Sequence, residues 1–107
     1  MPMEHENCPC METCPLNRAM ALIGGKWKMQ ILCSLYNNGP TRYNQLKKTL
    51  DGVSNTVLAN ALRELEGDGL VHRQEYLEVP VRVEYAITEP CRQLIPILDA
   101  LGDWSMA

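Results

Sequence analysis

SNTVLANALRELEGDGLVHRQEYLEVPVRVEYAI, residues 54–87, changes its hydrophobic period halfway along. In the first half Leu58, Ala61, Leu62 and Leu65 recur at helical spacing. Ser54 is a good N-cap for that helix, and Gly69 stands where a left-handed residue would end it. The pattern predicts a helix over 55–68. Its other face carries Thr56, Asn60 and Arg63, with Asn55 and Ala59 beside them, so it is polar and small near its N-terminal end. From Val71 the period drops to two. Residues 71–76 read as one strand, and Val81, Val83, Tyr85 and Ile87 alternate with Arg82, Glu84 and Ala86 as a second. Leu77-Glu78-Val79-Pro80 is the turn between them, which puts Arg82 near the tip of a β-hairpin, pointing out.

Working outward, Tyr43, Leu46, Lys47 and Leu50 suggest a short helix over 43–50, ended by Asp51-Gly52. Asn37-Asn38-Gly39-Pro40 stops an earlier amphipathic helix over 26–36, built on Trp27, Ile31, Leu32 and Leu35 and preceded by Gly24-Gly25. Downstream, Thr88 caps a last helix over 89–105, with Glu89 and Pro90 in its first turn. Pro96 should bend that helix by removing a backbone donor. Leu94, Ile95, Leu98, Leu101 and Trp104 give it a broad apolar face. A two-stranded hairpin does not stand alone, so it leans on the helices. The fold class expected is α+β, mainly α, in one domain spanning 1–107.

The formal net charge of −3 hides a division. Residues 26–63 carry Lys26, Lys28, Arg42, Lys47, Lys48 and Arg63 against Asp51 alone, a net of +5, while 1–25 sum to −2 and 64–107 to −6. A basic middle suits a surface that meets phosphate on one side; it also suits a merely solvated helix face. Position in the fold decides between these. A short helix, a tight turn and a second helix with a polar, small-residue face make a helix-turn-helix, and the hairpin after it makes the wing of a winged helix. An α-helix fits the major groove of double-stranded DNA. Asn55, Thr56 and Asn60 can pair with base edges, with Ser54 beside them in the DNA-binding set, while Arg42, Lys47, Arg63 and Arg82 can supply phosphate or groove electrostatics. The competing class is a winged helix used for protein–protein contact, which the acidic flanks suit.

The residues also carry a resemblance. Cys14-Pro15-Leu16, Leu22-Ile23-Gly24-Gly25-Lys26-Trp27 and Gly39-Pro40-Thr41-Arg42-Tyr43-Asn44-Gln45-Leu46 resemble the HxlR family of bacterial and archaeal winged-helix regulators. Gly52-Val53-Ser54, Leu62-Arg63-Glu64-Leu65-Glu66, Gly69-Leu70-Val71 and Val79-Pro80-Val81-Arg82-Val83-Glu84-Tyr85 continue the likeness, which runs from Cys14 to about Trp104. It implies a homodimeric, DNA-binding transcriptional regulator related to the MarR group, with 54–68 as recognition helix and 71–87 as wing. It also implies a dimer interface built by the first and last helices, here Leu16, Ile23, Leu94, Leu98, Leu101 and Trp104. These side chains present more apolar surface than a small monomer covers by itself. The sequence departs from the family at Pro90-Cys91, where glycine is usual at the second position, and that puts the local geometry there in question.

Five cysteines with no secretory leader and no apolar run of the roughly 20 residues a membrane span needs read as thiols of a cytoplasmic protein. Cys8, Cys10 and Cys14 form a tight cluster within an N-terminal tail over 1–14. Three readings stay open. Cys14 occupies the position that implies, by the resemblance, sensing of an electrophile or oxidant, with Cys8 or Cys10 as resolving thiol. The three thiolates, with His5, suit a soft metal. Or they are inert, with Cys14 packed at an interface. Cys33, among Ile31, Leu32 and Leu35, reads as core. Trp27 and Trp104 read as core and interface anchors, and His72 as a partly exposed strand residue. No phosphate loop, carboxylate pair or nucleophile elbow is present, so no enzyme activity and no cofactor are expected.

Overall fold

The computed structural model describes residues 14–107. The order is α1 (Pro15–Ile23), α2 (Lys26–Asn38), β1 (Thr41–Arg42), α3 (Tyr43–Thr49), α4 (Asn55–Gly67), β2 (Val71–Tyr76), β3 (Arg82–Ile87), α5 (Glu89–Arg92) and α6 (Ile95–Met106). Helices α2, α3 and α4 close around Ile31, Leu32, Leu35, Leu46, Leu58, Leu62 and Leu65, all buried, and the sheet and α5 seal the core with Val71, Ile87 and Cys91. This is a winged helix: mostly helical, with a small antiparallel sheet beside the helix-turn-helix.

Local chemistry sets the boundaries. Ser54 accepts a hydrogen bond from the Val57 N–H at 3.1 Å and starts α4. Gly69, at φ +79, ends it: its own N–H reaches the Glu66 carbonyl and the Leu70 N–H reaches Leu65, a Schellman closure. Thr88 then ties the far ends together. Its hydroxyl donates to the Gly69 carbonyl at 2.7 Å and accepts from the Cys91 N–H at 3.3 Å, so one side chain joins the end of α4 to the start of α5.

Three expectations are corrected. The wing hairpin belongs to a three-stranded sheet in the order β1-β3-β2. Thr41 pairs with Tyr85 and Arg42 with Glu84, so two residues after Pro40 extend along β3 before α3 begins. The last helix is broken rather than bent. It interrupts at Gln93-Leu94, and Pro96 falls in the first turn of α6, where no intrahelical partner awaits its missing N–H. Cys33 is exposed. The buried stripe of α2 is Ile31, Leu32, Ser34 and Leu35, and Cys33 lies off it. Cys91, at the position where the sequence departs from the family pattern, packs into the core cluster and is fully buried.

Candidate nucleic-acid interface

Helix α4 buries Leu58, Ala61, Leu62 and Leu65 and leaves Asn55, Thr56, Asn60 and Arg63 exposed. The three expected readers, Asn55, Thr56 and Asn60, therefore lie with Arg63 on the open side of one helix. Two contacts fix how that side is presented. The Tyr43 hydroxyl, from α3, donates to the Asn55 side-chain and main-chain oxygens, each at 3.2 Å. Lys28 of α2 reaches Glu64 at 2.7 Å, its side chain only 14% exposed. Spacing alone does not mark Tyr43 as a site residue; only the fold brings its hydroxyl across the turn to Asn55. Val57, exposed between Thr56 and Leu58, adds an apolar patch near the helix start.

Ser54 is exposed, but its hydroxyl is engaged in the α4 cap. Arg42 is exposed on β1 and Lys47 half-buried on α3. An open polar cleft of about 580 Å³ runs beside Arg42, lined in part by that residue, Gln45, Thr49 and Glu84. On α4, Arg63 Nη1 donates to Asn60 Oδ1 at 2.9 Å.

Arg82 does not point out as expected. It lies directly across from Tyr76, and its guanidinium stacks 3.9 Å from the centre of that ring. Nη1 binds Glu84 at 2.8 Å and Nη2 binds Glu78 at 2.9 Å. The cause is cross-strand register: a side chain facing an aromatic neighbour between two carboxylates folds down onto them. Desolvation opposes the charge, but Glu78 and Glu84 outweigh it and hold the Arg82 pKa above its ordinary value.

The expected interface residues separate into groups. Leu16 and Leu101 are exposed and Trp104 is 76% exposed. Leu94 and Leu98 are half-buried against the core. Ile23 is a correction, because it packs into the chain's own core. The Gly24-Gly25 turn after α1 brings it there; a Cβ at Gly24 would collide with the Met20 carbonyl. Between α2 and α6 an apolar crevice of about 360 Å³ opens, lined by Met29, Cys33, Leu98, Leu101, Gly102, Trp104 and Ser105. Cys14 stands at the N-cap position of α1 and is 2% exposed. Cys8 and Cys10 lie outside the described residues. Among the described residues no group of three His, Cys, Asp or Glu is placed to hold a metal, and no helix is long and apolar enough to cross a membrane.

A three-helix core, an exposed polar helix face and an adjoining β-wing define a DNA-binding regulator of the winged helix-turn-helix class. The chain belongs to the HxlR-like helix-turn-helix family, whose model matches residues 22–107. It is 42% identical, over 92 residues, to an uncharacterized HTH-type transcriptional regulator of Halalkalibacterium halodurans, covering 86% of this chain and 81% of the relative. Among solved structures it is similar to the redox regulator HypR in its oxidized form, with a TM-score of 0.80 and 38% identity over 87% of this chain and 95% of that one. It is also similar to the reduced form of the transcriptional regulator YodB from B. subtilis, with a TM-score of 0.79 and 33% identity over 87% of this chain and 91% of that one. The chain is a winged-helix transcriptional regulator.

Proposed function

We propose that the protein acts as a homodimer on a pseudo-palindromic operator, with α4 of each protomer in the major groove. The observation that carries this is the exposed Asn55–Thr56–Asn60–Arg63 face, steadied by Tyr43 and Lys28. Asn55, Thr56 and Asn60 specify bases, Val57 meets an apolar base edge such as a thymine methyl, and Arg42, Lys47 and Arg63 supply phosphate electrostatics. Residues 54–68 are then the recognition element and 71–87 the wing. The exposed side chains of Leu16, Leu101 and Trp104, with the half-buried Leu94 and Leu98, support an interface in which α1 and α6 meet a second copy. Such a dimer spaces its two recognition helices by about one turn of DNA, roughly 34 Å. Sedimentation at micromolar concentration, together with gel shifts on DNA upstream of the protein's own and neighbouring genes, tests both parts. A monomer, or binding without sequence preference, overturns the reading.

A second reading concerns the signal. Cys14 stands at the start of α1, next to the exposed Leu16, and the similar structure of a redox regulator in its oxidized form favours a thiol response to an oxidant or electrophile. A disulfide or adduct at Cys14, with Cys8 or Cys10 as resolving thiol, would shift one protomer against the other and spoil simultaneous half-site docking. The test is operator affinity before and after a mild oxidant or quinone, in wild type and Cys14→Ser, with metal analysis of both. Unchanged wild-type affinity after full modification of Cys14 excludes the thiol response. Metal that is bound by wild type and lost in Cys14→Ser replaces it with a metal site.

A further inference from the structure

The wing should be the arm of a winged helix that reaches along DNA, yet its charge is unsuited to phosphate. Residues 71–87 carry Arg73 and Arg82 against Glu75, Glu78 and Glu84, a net of −1. The cation nearest the tip is enclosed: Tyr76 lies under the guanidinium, Glu84 holds Nη1 and Glu78 holds Nη2. The two carboxylates differ. Glu84 belongs to β3, sits opposite Arg42 of β1 and Gln74 of β2, and is 17% exposed. Glu78 comes from the turn and is 50% exposed. The inner pair is the more shielded from solvent, and the outer one is a surface ion pair of the kind that contributes little and exchanges readily.

The enclosure also leaves a donor unused. Among the described residues, Arg82 Nε is the buried side-chain nitrogen with no hydrogen-bond partner. A guanidinium so held forgoes one of its five N–H bonds, which a swing toward solvent or an incoming oxyanion would restore. A phosphate offers the same paired oxygens as the carboxylate it would displace.

We infer that Glu78 sets the DNA affinity of this regulator by holding Arg82 on the wing until a backbone phosphate takes its place. The inference rests on the DNA-binding reading above. It makes Glu78, an acid on a DNA-facing turn, a functional residue. Its removal should strengthen binding, and Arg82 should contribute little until Glu78 is gone.

Four forms of the full chain separate the possibilities: wild type, Glu78→Gln, Arg82→Ala and the double variant. Each is titrated with duplex DNA at several salt concentrations, after thermal melting has shown that it folds. Glu75→Gln, on β2 beside Arg73, serves as a control with the same change in net charge. Glu78→Gln is expected to bind a few-fold tighter, with a salt slope steeper by about one unit for one added phosphate contact. Arg82→Ala alone should change affinity little, and in the Glu78→Gln background it should abolish the gain. Arg82→Lys, which keeps the charge but lacks the planar fork that engages Glu84 and Glu78 from separate nitrogens, should resemble Glu78→Gln if the alanine variant fails to fold. No gain from Glu78→Gln overturns the inference. So does an equal gain from Glu75→Gln, or a gain that persists without Arg82, since either marks a general charge effect. If wild type shows no salt-dependent binding to any duplex, the DNA-binding reading itself falls, and this inference with it.

Discussion

Arg63 Nη1 donates to Asn60 Oδ1 across 2.9 Å, joining two exposed residues of α4 one turn apart. The bond orients the Asn60 amide: its oxygen accepts from Arg63, and its NH2 group can donate to a base edge. Asn60→Ala should cost about 1–3 kcal/mol at the base it reads and leave non-specific binding nearly intact. Arg63→Ala should weaken all sequences and also release the amide, which blurs that same base preference. Losses in the double variant should therefore fall short of the sum. Titrating operator and single-base variants against the three proteins checks this; strict additivity would show that the bond does not persist on DNA.

Tyr43 is the second positioning contact. Tyr43→Phe removes a donor shared by the Asn55 side-chain and main-chain oxygens. The bond is exposed, so global stability should fall by no more than about 1 kcal/mol. The larger change should be looser discrimination at the base facing Asn55, with affinity for unrelated DNA unchanged. Chemical denaturation and binding to operator variants measure the two effects separately.

The long periodic elements of this fold were legible in the sequence, and the short or contact-defined features were not. The stripe of Leu58, Ala61, Leu62 and Leu65 and the alternation after Val71 each run far enough to declare their period, and α4, β2 and β3 fall where it puts them. β1 is two residues long, too short for any period, and exists because Thr41 and Arg42 find Tyr85 and Glu84. Cys33 reads as core by composition, yet only a one-residue step on a helix separates it from the buried Leu32. Arg82 could be placed at the wing tip, but its retraction depends on register against Tyr76 and on a turn that delivers Glu78. The polar face of α4 follows from spacing, whereas the contacts that steady it, from Tyr43 and Lys28, come from helices distant in sequence.

Gly69 tests the hinge between helix and wing. Its φ of +79 is costly for any residue with a Cβ, although nothing crowds the space around it. Gly69→Ala should destabilise the fold by about 1–2 kcal/mol through backbone conformation alone. Because Thr88 anchors to the Gly69 carbonyl, strain there should also loosen the start of α5. Hydrogen exchange should speed at Leu70 and Cys91, whose N–H groups close this junction. A drop in melting temperature without faster exchange at these two amides would separate the backbone cost from the anchoring role.

The described thiols should differ sharply in reactivity. Cys33 is exposed, while Cys14 and Cys91 are buried. Burial pushes the Cys91 thiol up; Arg92 pulls against that rise and Cys33 adds to it. In the folded protein at neutral pH, iodoacetamide should label Cys33 first and Cys91 only on unfolding, as peptide mass spectrometry would resolve. The raised thiol also makes stability depend on pH. Its contribution is complete below the ordinary thiol value of about 8.5, where Cys91 is neutral whether folded or unfolded. Above that, the unfolded chain gains by ionising while the folded thiol resists, so stability declines as pH rises toward the folded value. Cys91→Ala should lower stability at neutral pH by leaving a small cavity, and should reduce the alkaline decline. Urea denaturation at pH 7 and pH 9.5 for both proteins measures the difference, and an undiminished alkaline loss in Cys91→Ala would assign it to other groups.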